Sequence, residues 1–197
     1  MSQIHEHLAD LLEYPLTGWE EHLTACQKHV RHSMTELQAC FATFADEVEH
    51  LSIAELEEIY TGTFDLSPVC ALEIGYHLFG ENYKRGVFLA NLRETESLLE
   101  LGQEHQLPDY LPVVLRLLSK LEDKELRGSL IVDCIIPALE RMLKTLSGSD
   151  NPYRHLITAA TLLLNSEARV HPVTVQRAHL PILMNSEIGT KAKPVLF

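Results

Sequence analysis

Apolar residues in this chain return every three to four positions, and no stretch shows sustained alternation with a period of two. That periodicity admits helices packed on helices and leaves no strand to build a sheet from. Ile4, Leu8, Leu11 and Leu12 form one stripe, which Pro15 ends. Trp19, Leu23, Cys26 and Val30 form a second. Leu37, Phe41, Phe44 and Val48 form a third, preceded by the capping-box pair Ser33 and Glu36. Ser52 and Glu55 repeat the capping signal ahead of Leu56, Ile59 and Tyr60, so the two boxes predict a helical hairpin.

The segment from Thr61 to Gly80 is less regular, since Gly62, Pro68, Gly75 and Gly80 break it. A long helix follows from Asn82 to Leu101, then a polar loop from Gly102 to Pro108. Asp109 is placed to N-cap the next helix, with Pro112 in its first turn and Leu111, Val114, Leu115 and Leu118 on its buried face. Glu125 to Leu146 reads as a helix kinked by Pro137, and Asn151-Pro152 opens a last one carrying Leu156, Ile157, Leu163 and Leu164. The expectation is an all-α, single-domain bundle of seven or more helices over residues 1–166. From Glu167 the periodicity dissolves among Pro172, Pro181 and Pro194, so 167–197 reads as a flexible or loosely docked tail.

Charge and composition narrow the function classes. The net charge of -12 is opposite to that of a nucleic-acid binder, and an anionic membrane surface would repel it. The tail carries four basic residues and two acidic ones, so the acidity is concentrated in the body. The N-terminus, Met1 to Glu6, lacks a basic region followed by an apolar run. The longest apolar stretch, Ser129 to Leu139, is interrupted by Asp133 and Pro137 and is too short to span a bilayer. Both point to the cytoplasm. Cys26, Cys40, Cys70 and Cys134 form no C-x-x-C pair and read as small apolar residues in a reducing compartment.

Local motifs for catalysis are missing. There is no G-x-S-x-G, Walker A, dinucleotide fingerprint or EF-hand loop. His5-x-His7 and His29-x-x-His32 are the tightest histidine groups, but neither has the neighbouring ligands that a metal site needs, and they read as solvated surface residues. What stands out is aromatic. Tyr60, Phe64, Tyr76, Phe79, Tyr83 and Phe88 crowd one region and are interleaved with Glu58, Asp65, Glu73, Glu81, Lys84 and Arg85. As structure this is core. As function, aromatic rings beside carboxylates on a broken segment make a groove wall for a basic amphipathic peptide.

Two segments carry a family resemblance. Tyr60-Thr61-Gly62-Thr63-Phe64-Asp65-Leu66 with Gly75-Tyr76-His77-Leu78-Phe79-Gly80-Glu81, continued by Tyr83-Lys84-Arg85-Gly86-Val87-Phe88-Leu89, resembles the delta-subunit (NarJ) chaperones of respiratory nitrate reductase, within the wider TorD and DmsD group. Leu107-Pro108-Asp109-Tyr110-Leu111-Pro112-Val113-Val114-Leu115 resembles them too, although that family usually has Asp-His where this chain has Asp109-Tyr110.

The resemblance implies a helical assembly chaperone for a molybdenum enzyme, without catalysis or a tightly bound cofactor. Such a protein binds the N-terminal segment of the catalytic subunit while the molybdenum cofactor is inserted, then departs. Transient contact with the cofactor, or with the proteins that make and deliver it, is part of that picture. The residues expected at the peptide are Tyr60, Phe64, Asp65, Tyr76, Phe79, Glu81, Tyr83, Asp109 and Tyr110. Nitrate reductase is the favoured client, and a related molybdenum enzyme is the alternative. Two other classes stay in view: a helical ligand-binding regulator, and a helical-bundle enzyme holding metal or haem.

Overall fold

The computed structural model describes residues 2–66, 70–99, 101 and 105–170. The protein is an all-α helical bundle, and among the described residues there is no strand beyond one isolated bridge. Helix α1 (Ser2–Leu11) packs along α2 (Trp19–Val30) and α7 (Leu111–Lys120). Acidic side chains of α1 and of the turn after it face the basic ones of α7. Arg116 bonds Asp10 at 2.7 Å and Glu13 at 2.5 Å, and Lys120 lies 3.0 Å from Glu6.

Helix α3 (Thr35–Val48) lies against α10 (Tyr153–Val170), which also packs on α9 (Ile136–Thr145). Tyr153, Leu156, Ile157, Ala159, Ala160 and Leu164 of α10 are fully buried, which makes α10 the core of the bundle. Helix α5 (Ile74–Phe79) is wedged between α6 (Tyr83–Ser97) and α9.

The sequence signals are realised unevenly. At α4 (Ile53–Tyr60) the Ser52–Glu55 capping box forms with both reciprocal bonds. Ahead of α3 the N-cap is Met34 instead, and Ser33 uses its carbonyl to accept from the Gln38 side chain. The kink expected at Pro137 takes the form of a π-helical turn, Leu130–Ile135, between α8 (Lys124–Ser129) and α9. Proline lacks the N–H for the carbonyl four residues back and crowds it, and a wider turn just before the ring relieves both. The expected helix from Asn82 closes earlier than Leu101, at Ser97, with Asn82 capping the Lys84 amide. All four cysteines are free thiols. Burial pushes those of Cys26 and Cys134 up to about 12, which makes them poor nucleophiles.

Two expectations are corrected. His5 is not a solvated surface residue: it is fully buried, with Nε2 2.9 Å from Glu167 Oε1. And α10 runs on to Val170, so the ordered helix includes the first residues that the loss of periodicity assigned to the tail. The reason is electrostatic. Glu167 also accepts from Arg127 at 2.6 Å, and Arg127 donates in turn to the Leu118 carbonyl. A carboxylate buried among partners from α1 and α8 holds the last turn of α10 in place. Residues 171–197, and with them the rest of the tail reading, lie outside the described residues.

Burial alone would push the Glu167 carboxyl up, but the bonds from His5 and Arg127 outweigh it and hold the group below its ordinary value. A carboxyl whose pKa is lower folded than unfolded stabilises the fold above that ordinary value and loses the contribution as the pH falls through the folded one. Glu167→Ala should therefore cost about 3 kcal/mol at neutral pH, measured by urea unfolding. The gap to the parent chain should narrow as the pH falls below 4.5. A gap that is constant with pH would mean that the ion pair is not what holds this end of α10.

Candidate functional site

The irregular segment after α4 begins with a second π-helical turn, Thr61–Asp65, closed by the Leu66 amide on the Thr61 carbonyl at 3.0 Å. In an α-helix only Tyr60 and Phe64 would share a face. The wider turn brings positions four and five apart to the same side, so Asp65 joins them. These three residues form one wall of a cleft of about 520 Å3. That is within the usual range of ligand clefts, about 300–1,000 Å3. The opposite wall comes from Ala71, Leu72, Glu73 and Tyr110, with Tyr14 and the stretch His105, Gln106 and Leu107 at the rim.

The walls are held by backbone and ring contacts. The Ile74 amide donates to the Asp109 carbonyl at 2.8 Å, and the Leu111 amide donates to the Leu72 carbonyl at 2.8 Å. An antiparallel bridge thus joins Glu73 to Tyr110. The His77 ring bonds the Ala71 carbonyl at 2.7 Å; burial pushes this histidine down, so the neutral ring is the donor.

The Tyr60 hydroxyl donates to the Leu12 carbonyl at 3.2 Å and lies 2.9 Å from the Tyr110 hydroxyl. A hydroxyl has one proton to give, so Tyr110 is the donor of that second bond. Below them the rings stack edge to face: Tyr14 on Tyr60 at 5.4 Å, Tyr60 on Phe64 at 5.0 Å, and Phe64 on the buried Tyr153 at 4.9 Å. Burial pushes the Tyr110 hydroxyl up to about 12 and raises that of Tyr60 further, so both stay protonated at physiological pH.

Of the residues singled out in the sequence, Tyr60, Phe64, Asp65 and Tyr110 are brought together in this cleft. Tyr76, Phe79, Glu81 and Tyr83 do not line it; they sit on α5, the turn after it and the start of α6. Phe79 packs on the buried Phe88 at 5.5 Å, whereas Tyr83 and Glu81 are exposed. Asp109 is not the side-chain cap of α7. The N-cap is Tyr110, and the Asp109 carboxylate is fully buried against Arg85 at 2.9 Å.

Tyr14 and Glu73 complete the cleft and were not singled out as site residues. Glu73 already stood among the charged residues interleaved with the aromatics. Tyr14 lies far away in sequence, and only its place beside helix-ending Pro15 hinted at a surface role.

A second cleft, of about 590 Å3, lies among α1, α2, α3 and α10, with Lys28, His29 and His32 at its mouth. The two are opposite in character. Asp65 and Glu73 give the first an acidic edge over an aromatic floor, while the second is basic over Ile4, Leu37 and Leu163.

No protein-family model matches the chain. It is similar to the probable nitrate reductase molybdenum cofactor assembly chaperone NarJ of Bacillus subtilis (strain 168), at 26% identity over 152 residues, spanning 76% of this chain and 82% of that protein. The similarity is distant and supports the relationship at the level of the family. By its name that relative is a probable assembly chaperone. Among the described residues no helix is long and apolar enough to cross a membrane.

The hydroxyl pair makes its own prediction. Tyr60→Phe should cost about 1–2 kcal/mol in urea unfolding, because it leaves the Leu12 carbonyl and the Tyr110 hydroxyl without their shared partner. A change within a few tenths would mean that water takes over both bonds.

Proposed function

We propose that this protein is an assembly chaperone for a molybdenum enzyme, with respiratory nitrate reductase as the favoured client. On this reading it works in the cytoplasm and holds the N-terminal segment of the catalytic subunit in the cleft between Tyr60, Phe64 and Asp65 on one side and Leu72, Glu73 and Tyr110 on the other. The observation that carries the reading is the similarity to a NarJ chaperone over most of both chains. The chemistry of the cleft supports it. Rings supply apolar contact area without much loss of side-chain freedom, and two carboxylates at the edge favour a basic segment over an acidic one. The basic second cleft is unsuited to such a peptide. The acidic body would steer a basic client toward the protein, so encounter is fast at low salt and slower at high salt.

Residues outside the cleft take other parts in this reading. Tyr83 and Glu81 are exposed, and they extend the contact beyond the cleft only if the client segment is longer than the cleft itself.

Titration calorimetry with a peptide from the N-terminus of the molybdenum-enzyme catalytic subunit tests the proposal. The expected result is a dissociation constant of about 1 μM or tighter at low salt, weakening as salt rises. Asp65→Lys combined with Glu73→Lys should weaken binding at least about tenfold and flatten the salt dependence. Binding of the whole cofactor-free subunit but not of the peptide would move the contact elsewhere on the client. Binding of neither would remove the chaperone reading.

A further inference from the structure

We infer that Arg85 and Asp109, packed over Gly75, form a latch that sets the shape of the cleft from outside it. Arg85 is therefore a positioning residue for client binding; this rests on the function proposed above.

The latch sits behind the cleft wall that Leu72, Glu73 and Tyr110 form. Asp109 immediately precedes Tyr110, and its own carbonyl accepts from the Ile74 amide, next to Glu73. Any movement of Asp109 therefore carries Tyr110 in one wall and Leu72–Glu73 in the same bridged pair. Its carboxylate is fully buried. Oδ2 is bonded by Arg85 Nε at 2.9 Å, and Oδ1 has no hydrogen-bond partner. Among the described residues the guanidinium is thus the hydrogen-bond partner that this carboxylate has. Arg85 itself comes from α6, which contributes nothing to the cleft lining, and its Cζ lies 5.9 Å from the centre of the Tyr76 ring.

Gly75 completes the device. A Cβ there would lie 2.6 Å from Asp109 Oδ2 and 3.0 Å from the Phe88 ring, so the missing side chain is what lets the carboxylate lie against α5. A buried ion pair with an unsatisfied oxygen is a poor source of stability, and an apolar pair of the same volume does as well or better. What a fixed charge pair supplies is a defined register between segments, here between α6 and the loop that ends at Tyr110.

Three variants and a control test the latch. Arg85→Met keeps the length of the side chain and removes the charge; Gly75→Ala keeps the charge and displaces the carboxylate; Arg85→Lys restores a cation. Leu23→Ala, on α2, destabilises the core away from the cleft and serves as the control. With 13C-labelled tyrosine, the Tyr110 ring resonances, assigned through Tyr110→Phe, should move in Arg85→Met and Gly75→Ala. They should return toward the parent position in Arg85→Lys and stay in place in Leu23→Ala. In calorimetry with the client peptide, the first two variants should bind about tenfold more weakly and the control unchanged.

Tyr110 resonances that do not move in Arg85→Met overturn the latch, as does a control that shifts them equally. The spectra need no peptide. Failure of the parent chain to bind peptide would therefore count against the functional proposal alone.

Discussion

Two backbone hydrogen bonds, from Ile74 to Asp109 and from Leu111 to Leu72, hold together the two stretches of this chain that leave helical geometry near the cleft. Peptide groups outside a helix lose their built-in partners, and a buried one without a partner costs as much as a lost hydrogen bond. Here each of these bonds pairs a group of one stretch with a group of the other. The bundle can therefore carry non-helical backbone in its interior, and the cleft exists because it does. Had α4 run straight into α5, the space now occupied by the cleft would be filled by helix packing.

The aromatic stack answers a related difficulty. A cleft beside a core exposes apolar surface and risks collapse. Tyr60, Phe64 and Tyr153 pack edge to face below the opening, Tyr14 lies against Tyr60 at the rim, and the hydroxyls of Tyr60 and Tyr110 bond each other. Rigid rings with few torsions lose little entropy when fixed, which favours a preformed lining. The π turn at Thr61–Asp65 adds a carboxylate to this otherwise apolar face, which a regular helix would have turned away. In this way one local widening of the backbone sets the polarity of the cleft.

The bundle was legible in the sequence because helix formation is local. Stripes such as Leu37, Phe41 and Phe44 declare their face within a few turns, and the Ser52–Glu55 box carries its own partners. What escaped depends on partners distant in the chain. Nothing near His5 reveals Glu167, nothing near Glu167 reveals Arg127, and so a buried ion cluster read as a surface histidine and the start of a tail. Asp109 fits a helix cap by its position, yet Arg85 on another helix draws its carboxylate inward. Of the cleft, the aromatic half was visible as composition. The division of those aromatics between the cleft and the α5–α6 packing was not, because it is set by the π turn and by the bridge at Glu73, neither of which has a sequence pattern.

Tyr110 bears on how binding is controlled. The chaperones that this chain resembles usually carry a histidine at that place, and histidine is the side chain whose charge changes near neutral pH. Tyrosine keeps a ring and a polar tip, but burial pushes its hydroxyl up to about 12, and its proton is already committed to Tyr60. Tyr110 therefore keeps its proton across the physiological range. The carboxylates of Asp65 and Glu73 give the cleft its acidic edge, and salt screens their pull on a basic segment. A proton-driven release through position 110 is closed to this chain.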